Sequence, residues 1–368
     1  MLRSETVSER VVVAMSGGVD SSVAAALLHE RGYEVIGMTM KLWDGPETSE
    51  THHKTCCTLD DVSDARRVAA QLGIPFYVAN FKAQFASHVM DYFADAYRQG
   101  YTPNPCVQCN RYLKFTHLLQ RARQLGARWV ATGHYASVDP GEDGRYYLRR
   151  GRDANKDQSY FLFDMTQAQL HQTLLPLGSY CKEEVRAMAA RWQLNVATKA
   201  ESQEICFIPD GDYRTFLRTR LGAEEAQPGQ MVNTAGEVVG EHQGLPFYTV
   251  GQRRGLGVAV GQPLYVTQVQ PQQNVLVVGS RREAMSETCT VERLNWLRPP
   301  PAQAIQTTVQ IRYRHRPVAA MVEPLGDDRA RIVLQEPQFA VAPGQAAVFY
   351  DGDTVIGGGW ICRQAVSD

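Results

Sequence analysis

The chain has 368 residues, 44% hydrophobic and 21% charged, with a formal net charge of −1. That length exceeds what one core usually organises and predicts two or three domains, with the composition of an ordinary globular enzyme. No run of about 18 uncharged apolar residues occurs, which excludes a membrane-spanning helix by this measure. Residues 1–10 are polar and of mixed charge, unlike a signal or transit peptide, so the expected location is the cytoplasm. Val11 to Met15, a β-branched apolar run, predicts a buried parallel strand, and Ser21 to Arg31 a helix stopped by Gly32. Strands are predicted over Glu34 to Met40, Ile74 to Val78 and Trp129 to Thr132. Helices are predicted over Leu59 to Leu72, Phe85 to Gln99 and Phe115 to Leu125, with a turn at Thr102 to Pro105.

Alternating strands and helices predict a doubly wound, parallel α/β sheet whose ligands bind beyond the carboxyl ends of its strands. After about Asp212 the helical periodicity fades. Val232 to Val239 reads as a hairpin, and short alternating runs from Cys289 onward predict a C-terminal β-barrel. The expected domains are 1–215, 216–287 and 288–368.

Ser16-Gly17-Gly18-Val19-Asp20-Ser21-Ser22 joins the first strand to the first helix. Paired glycines let the backbone turn and approach a ligand, and the helix start supplies unpaired N–H groups and a positive dipole end. The three serine hydroxyls add donors, and Asp20 is suited to a magnesium ion bridging phosphates. The loop lacks the Gly-x4-Gly-Lys spacing of common P-loop enzymes. It resembles instead the PP-loop of ATP pyrophosphatases, which adenylate a carbonyl oxygen and release pyrophosphate.

Eight cysteines in a chain expected inside the cell point away from a disulfide framework and towards metal or thiol chemistry. Cys106 and Cys109 form a C-x-x-C, and Cys206 lies in Ser202-Gln203-Glu204-Ile205-Cys206-Phe207-Ile208. Cys181, Cys289, Cys362 and the Cys56-Cys57 pair read as small hydrophobes. His52-His53 near Cys56-Cys57 has the residue types of a zinc site, but its polar, loop-like context assigns no metal there. An activated carbonyl needs a sulfur nucleophile, which a cysteine thiolate or persulfide supplies, and a second cysteine can release it by disulfide formation.

The ordered strings Ser16 to Ser22, Met40 to Trp43, Thr102 to Asn110, Ala131 to Ala136, Lys156 to Tyr160, Ser202 to Ile208 and Gly251 to Gly257 resemble the bacterial tRNA-specific 2-thiouridylase family. The resemblance implies that ATP and a protein-bound persulfide convert the wobble uridine of tRNA, with lysine, glutamate and glutamine acceptors expected, to 2-thiouridine. It implies ATP contacts at Ala14, Met15, Ser16, Gly17, Gly18, Val19, Asp20, Ser21 and Met40, with Gly133 closing on the nucleotide. Asn104, Pro105 and Cys106 would surround the target base, and Lys156, Asp157, Gln158, Arg312 and Tyr313 would contact tRNA. His134 and Gln345 are further tRNA candidates. Cys109 aligns with the family's nucleophile and Cys206 with its persulfide carrier, charged by a cysteine desulfurase directly or by relay. Many members have aspartate where this chain has Cys106. With Cys106, Cys109 and Cys206 present, a [4Fe-4S] cluster binding sulfide at one iron is the alternative to persulfide chemistry.

Arginine groups at 121/123/128, 145/149/150/152, 253/254 and 312/314/316 can bind phosphates on a neutral chain, Arg253-Arg254 best because glycines flank it. Two other functions compete. A PP-loop ligase would leave the cysteines idle, and an RNA-binding module would bind tRNA without consuming ATP.

Overall fold

The computed structural model describes residues 9–44, 59–201, 205–208, 211–258 and 261–363. His52, His53, Cys56, Cys57 and Ser202 to Glu204 lie outside the described residues. The chain divides into two compact units. One comprises Met1–His88, Cys106–Gly211 and Asp353–Val355; the other comprises Val89–Pro105, Asp212–Gly352 and Ile356–Asp368.

In the first unit, strands β1 (Arg10–Ala14), β2 (Glu34–Lys41), β3 (Phe76–Asn80), β4 (Trp129–Ala131) and β7 (Thr173–Leu174) form a parallel sheet in the order β3-β2-β1-β4-β7. A hairpin, β5 (Ala136–Pro140) and β6 (Tyr146–Arg150), falls between β4 and β7 in the chain and was not predicted. Val11, Val12 and Val13 are fully buried, as a β-branched run in a sheet covered on both faces requires. Val11 pairs with Val35 on one side and Trp129 on the other, so the strand order reverses at β1 and β4. A crevice for ligands is expected at that reversal.

Helices α1 (Val19–Glu30), α2 (Leu59–Leu72) and α3 (Lys182–Arg191) pack Val23, Leu27, Ala65, Val68, Val185 and Ala189 into one core. Each such fully buried Val or Leu contributes about 1.5–3 kcal/mol. Gly32, at φ +86°, ends α1 with its N–H on the His29 carbonyl, as its position after the last apolar residue predicts.

Two helix predictions are corrected. The segment predicted as Phe85 to Gln99 is Lys82–Phe85, a wide-turn helix Ala86–Asp91, and Tyr92–Arg98. The segment predicted to start at Phe115 begins at Pro105, running Pro105–Gln108, the wide-turn Cys109–His117 and Leu118–Gln124. The proline that breaks the preceding turn therefore also opens a helix, where its missing N–H costs nothing. The strand predicted from Ile74 lies two residues later.

In the second unit, helix Tyr213–Leu221 stands where periodicity fades. Asp212 caps it through the Arg214 and Thr215 N–H groups, and Leu217 is its buried residue. Strands β8 (Gly229–Asn233), β9 (Val238–His242), β10 (Tyr265–Gln270) and β11 (Val275–Gly279) make a sheet ordered β10-β11-β8-β9. The β8–β9 turn is the predicted hairpin, with Gly236 at φ +87° and the Asn233 side chain accepting from Ala235 and Glu237. Strands β12 (Met285–Trp296), β13 (Ile305–Gln310), β14 (Val318–Pro324), β15 (Arg329–Phe339), β16 (Ala346–Asp351) and β17 (Thr354–Ile361) follow in the order β12-β15-β14-β13-β16-β17. Pairing of β12 with β17 closes them into a six-stranded barrel. No helix among the described residues is long and apolar enough to cross a membrane.

Candidate functional site

The glycine loop leaves β1 at its carboxyl end and enters α1 at the sheet's reversal point. Gly17 takes φ +73°, and a Cβ there would lie 2.2 Å from the Asp61 carbonyl oxygen at the start of α2. Glycine is required on both counts. Ser21 and Ser22 donate their hydroxyls to the Gly18 carbonyl at 3.3 and 2.9 Å, and the Ser16 N–H donates to Ser21 Oγ at 3.1 Å. The Ser16 and Ser21 hydroxyls also lie 3.3 Å apart, so all three serines shape the loop rather than stand open as donors.

Gly133 follows β4 against the same helix start. A Cβ on it would meet Ser21 N at 2.7 Å and the Asp20 carbonyl carbon at 2.8 Å. Backbone packing therefore dictates this glycine independently of any nucleotide. Met40 is half-buried near the end of β2, and the neighbouring Thr39 hydroxyl donates to the Met15 carbonyl at 2.7 Å.

The Asp20 carboxylate does not stand open for a metal. It accepts from Tyr135 Oη at 2.8 Å, and Lys182 Nζ donates to both its oxygens at 2.7 and 2.8 Å. Lys182 is buried and also pairs with Glu201 at 2.7 Å; Glu201 takes Lys156 at 2.7 Å on its other oxygen. Burial pulls the Glu201 carboxyl up, but the Lys156 and Lys182 hydrogen bonds outweigh it and hold it down at about 2. Burial and the Asp20 charge push the Tyr135 hydroxyl above its ordinary range. On the other flank, Lys199 donates to the Gly17 carbonyl at 3.0 Å, Asp61 at 2.7 Å and Asp64 at 2.6 Å. Sequence reasoning missed Tyr135, Lys182, Lys199 and Glu201 as parts of this loop's surroundings.

His134 is buried, with Nδ1 2.7 Å from Thr132 Oγ1 and Nε2 3.1 Å from Lys114 Nζ. An ammonium only donates, so Nε2 accepts and Nδ1 carries the proton. Burial and the nearby Lys114 charge push the imidazole well below its usual value, leaving it neutral at pH 7. The expected tRNA candidates Asp157 and Gln158 face inward. Asp157 takes Arg150 at 2.9 Å and the Gly151 and Ser159 N–H groups, and Gln158 Oε1 accepts from the Tyr135 N–H at 3.0 Å. Lys156 is half-buried on Glu201.

Cys106 is exposed and Cys109 half-buried on the helix that opens at Pro105, and Cys206 is half-buried. The adjacent Asn110 is buried. It donates Nδ2 to the Phe161 carbonyl at 3.0 Å, and its Oδ1 meets no partner among the described residues. Among the described residues, no three His, Cys, Asp or Glu side chains gather as a metal site. The ligand set expected for a cluster at Cys106, Cys109 and Cys206 is therefore not assembled. Cys289 and Cys362 are buried thiols as predicted, with burial pushing them up to about 12 and about 11. Cys181 is corrected: it is half-buried and precedes α3, its N–H on Glu184 Oε2 at 2.6 Å.

Within the second unit, Gln345 donates Nε2 to the Thr102 and Pro103 carbonyls at 3.0 and 3.2 Å, and the Thr102 N–H donates to the Pro343 carbonyl at 2.7 Å. The Pro343-Gly344-Gln345 loop thereby fixes the turn that leads into the buried Asn104 and Pro105. Arg312 donates to the Phe339 carbonyl at 3.2 Å, and Tyr313 beside it is half-buried. Arg253 and Arg254 are exposed between glycines of positive φ at 251 and 255.

Comparison with known proteins matches three successive families to the chain. They are described as a tRNA methyl transferase HUP domain over residues 9–210, a tRNA methyl transferase PRC-barrel domain over 214–280, and an aminomethyltransferase beta-barrel domain over 286–361. A tRNA-specific 2-thiouridylase of Geotalea uraniireducens is 53% identical over 356 residues, 96% of this chain and 95% of the relative. One of Geobacter metallireducens is 51% identical over 361 residues, covering 97% and 98%. One of Moorella thermoacetica is 52% identical over 354 residues, covering 95% and 98%.

Proposed function

Since the chain belongs to the tRNA-specific 2-thiouridylase family, enzymes that transfer sulfur to tRNA, we propose that it uses ATP to replace the C2 oxygen of a wobble uridine with sulfur. The uracil C2 oxygen attacks the α-phosphorus of ATP and pyrophosphate leaves. A persulfide on Cys206 then attacks C2 and expels AMP. The Cys109 thiolate attacks the Cys206 sulfur, forming the Cys109–Cys206 disulfide and leaving the terminal sulfur on C2. An external thiol reduces the disulfide and a cysteine-desulfurase-derived persulfide reloads Cys206.

The observation that carries this reading is a glycine-shaped loop at a helix start and at the sheet's reversal point, in the unit that also holds Cys109 and Cys206. The loop's N–H groups and the start of α1 suit the departing pyrophosphate, whose charge is stabilised best by fixed dipoles. Magnesium, if held, would neutralise phosphate charge beside Asp20, after that carboxylate yields a hydrogen bond from Lys182 or Tyr135. Asn104, Pro105 and Cys106 are assigned to the target base. Lys156, Asp157, Gln158, Arg312, Tyr313, His134 and Gln345 are assigned to tRNA, with Asp157, Gln158 and Gln345 acting by fixing loops. Domain limits of 1–215, 216–287 and 288–368, a cytoplasmic location and tRNAs for lysine, glutamate and glutamine complete the proposal.

The test is tRNA-dependent pyrophosphate release with a sulfur donor, followed by nucleoside analysis for 2-thiouridine. Cys109→Ser and Cys206→Ser are each expected to abolish thiolation. Pyrophosphate release without thiouridine in the parent protein, or full thiolation by either variant, would overturn the mechanism.

A further inference from the structure

Two residues just ahead of Cys206 are fastened to opposite sides of the glycine loop. Lys199 reaches the Gly17 carbonyl and, with Asp61 and Asp64, the start of α2. Glu201 reaches Asp20 through Lys182, whose ammonium bridges the two carboxylates. Arg186 of α3 adds hydrogen bonds to the Ala197 and Lys199 carbonyls at 3.1 and 3.3 Å. Residues 197–201 therefore form a stem whose polar contacts converge on the loop and on α3. Cys206 follows Glu201 by five residues. A fixed Glu201 thus confines the Cys206 Cα to within roughly 18 Å of it, whatever path the intervening chain takes.

We infer that Lys199 and Glu201 are positioning residues which tie the Cys206 segment to the nucleotide loop, so that the arrival of ATP alters the exposure of the Cys206 thiol. The inference rests on the proposed ATP site. A triphosphate entering the loop competes with Asp20 and Glu201 for the Lys182 ammonium, the nearest buried cation on that side. On the other side, any turn of the Gly17 peptide towards phosphate displaces the carbonyl that Lys199 holds. Both changes weaken the stem's attachment, which makes Cys206 more reactive when ATP is bound. A bridging ammonium between two carboxylates suits this use, because exchange of one anion for another leaves it paired throughout. Neither residue touches the reacting atoms, and each acts through the loop.

The experiment follows alkylation of Cys206 by iodoacetamide, resolved by peptide mass spectrometry, with and without ATP and magnesium and without tRNA. Equilibrium binding of ATP is measured on the same samples. In the parent protein, saturating ATP is expected to speed labelling of Cys206 on the order of fivefold or more, the lower range of ordinary coupling between sites. Lys199→Met and Glu201→Gln are expected to label at close to the ATP-bound rate already without ATP, with less than about a twofold further response. Lys199→Arg, which keeps the cation, is expected to restore the parent's response. Buried Cys289 stays unlabelled in every folded variant and so reports intact packing. Parent protein that binds ATP with no acceleration at Cys206 overturns the tether alone. So does an undiminished response in both variants. Parent protein that binds no ATP overturns the tether together with the proposed function.

Discussion

Replacing Gly133 with alanine probes the glycine loop from outside it. The backbone at 133 has no need of a left-handed conformation, so the effect is one of space. The added Cβ would sit 2.7 Å from Ser21 N, 2.8 Å from the Asp20 carbonyl carbon and 3.1 Å from Asp20 Cβ. Ordinary contact begins near 3.4 Å, so the end of β4 and the start of α1 must separate by about 0.7 Å. Neither side is the tip of a flexible chain. Val13 pairs with Ala131, just before Gly133, and Ser22 is wholly buried. Overpacking of this kind costs about 1–3 kcal/mol of stability, and displacement approaching 1 Å in a positioning element reduces rate on the order of a hundredfold. Gly133→Ala is therefore expected to melt earlier than the parent and to lose at least tenfold in kcat/KM for ATP, read as pyrophosphate release at saturating tRNA. Far-ultraviolet circular dichroism would verify the fold, and isothermal titration would measure ATP affinity. A Gly133→Ala protein with the parent's melting temperature and ATP affinity would refute the reasoning, because the loop would then tolerate the shift.

Lys182→Met leaves the Asp20 and Glu201 carboxylates without their shared cation, and a loss of about 3 kcal/mol is expected in thermal or denaturant unfolding; a change near zero would mean that Tyr135 and Lys156 suffice. The folded His134 imidazole refuses a proton that the unfolded one accepts, so this residue contributes stability that declines as pH falls below its ordinary value of about 6.5. His134→Gln should flatten that part of the stability profile, and an unchanged slope would argue against a neutral, buried ring. Arg253→Ala with Arg254→Ala is expected to weaken tRNA binding and to reduce the slope of log affinity against log salt by about two units; filter binding from low to high salt reads it directly, and an unchanged slope removes both arginines from the phosphate contacts.

How much of this was legible in the chain depends on the distance over which each feature is encoded. The parallel sheet announced itself because β1 carries three consecutive valines and α1 is followed by a glycine that the backbone conformation demands. The glycine loop was legible for the same reason: its strand, turn and helix start are contiguous. The wide-turn helices were not, since local propensity does not distinguish a slightly loosened turn from a regular one, and Pro105 reads equally as the end of a turn or the start of a helix. Least legible was the charge network. Lys182 opens α3 in a run, Lys182-Glu183-Glu184, that reads as an exposed helix start, yet its ammonium is buried on a carboxylate 162 positions earlier. Lys199 meets Gly17 across 182 positions. Long-range ion pairs leave no periodicity, and a lysine in sequence is by default a solvated one. The structure changes the role of Asp20 as a result. From sequence it is a carboxylate awaiting a metal. In the fold it is held by Tyr135 and Lys182 and linked through Glu201 to the chain that leads to Cys206, so the glycine loop and the residues ahead of that cysteine share one set of charges.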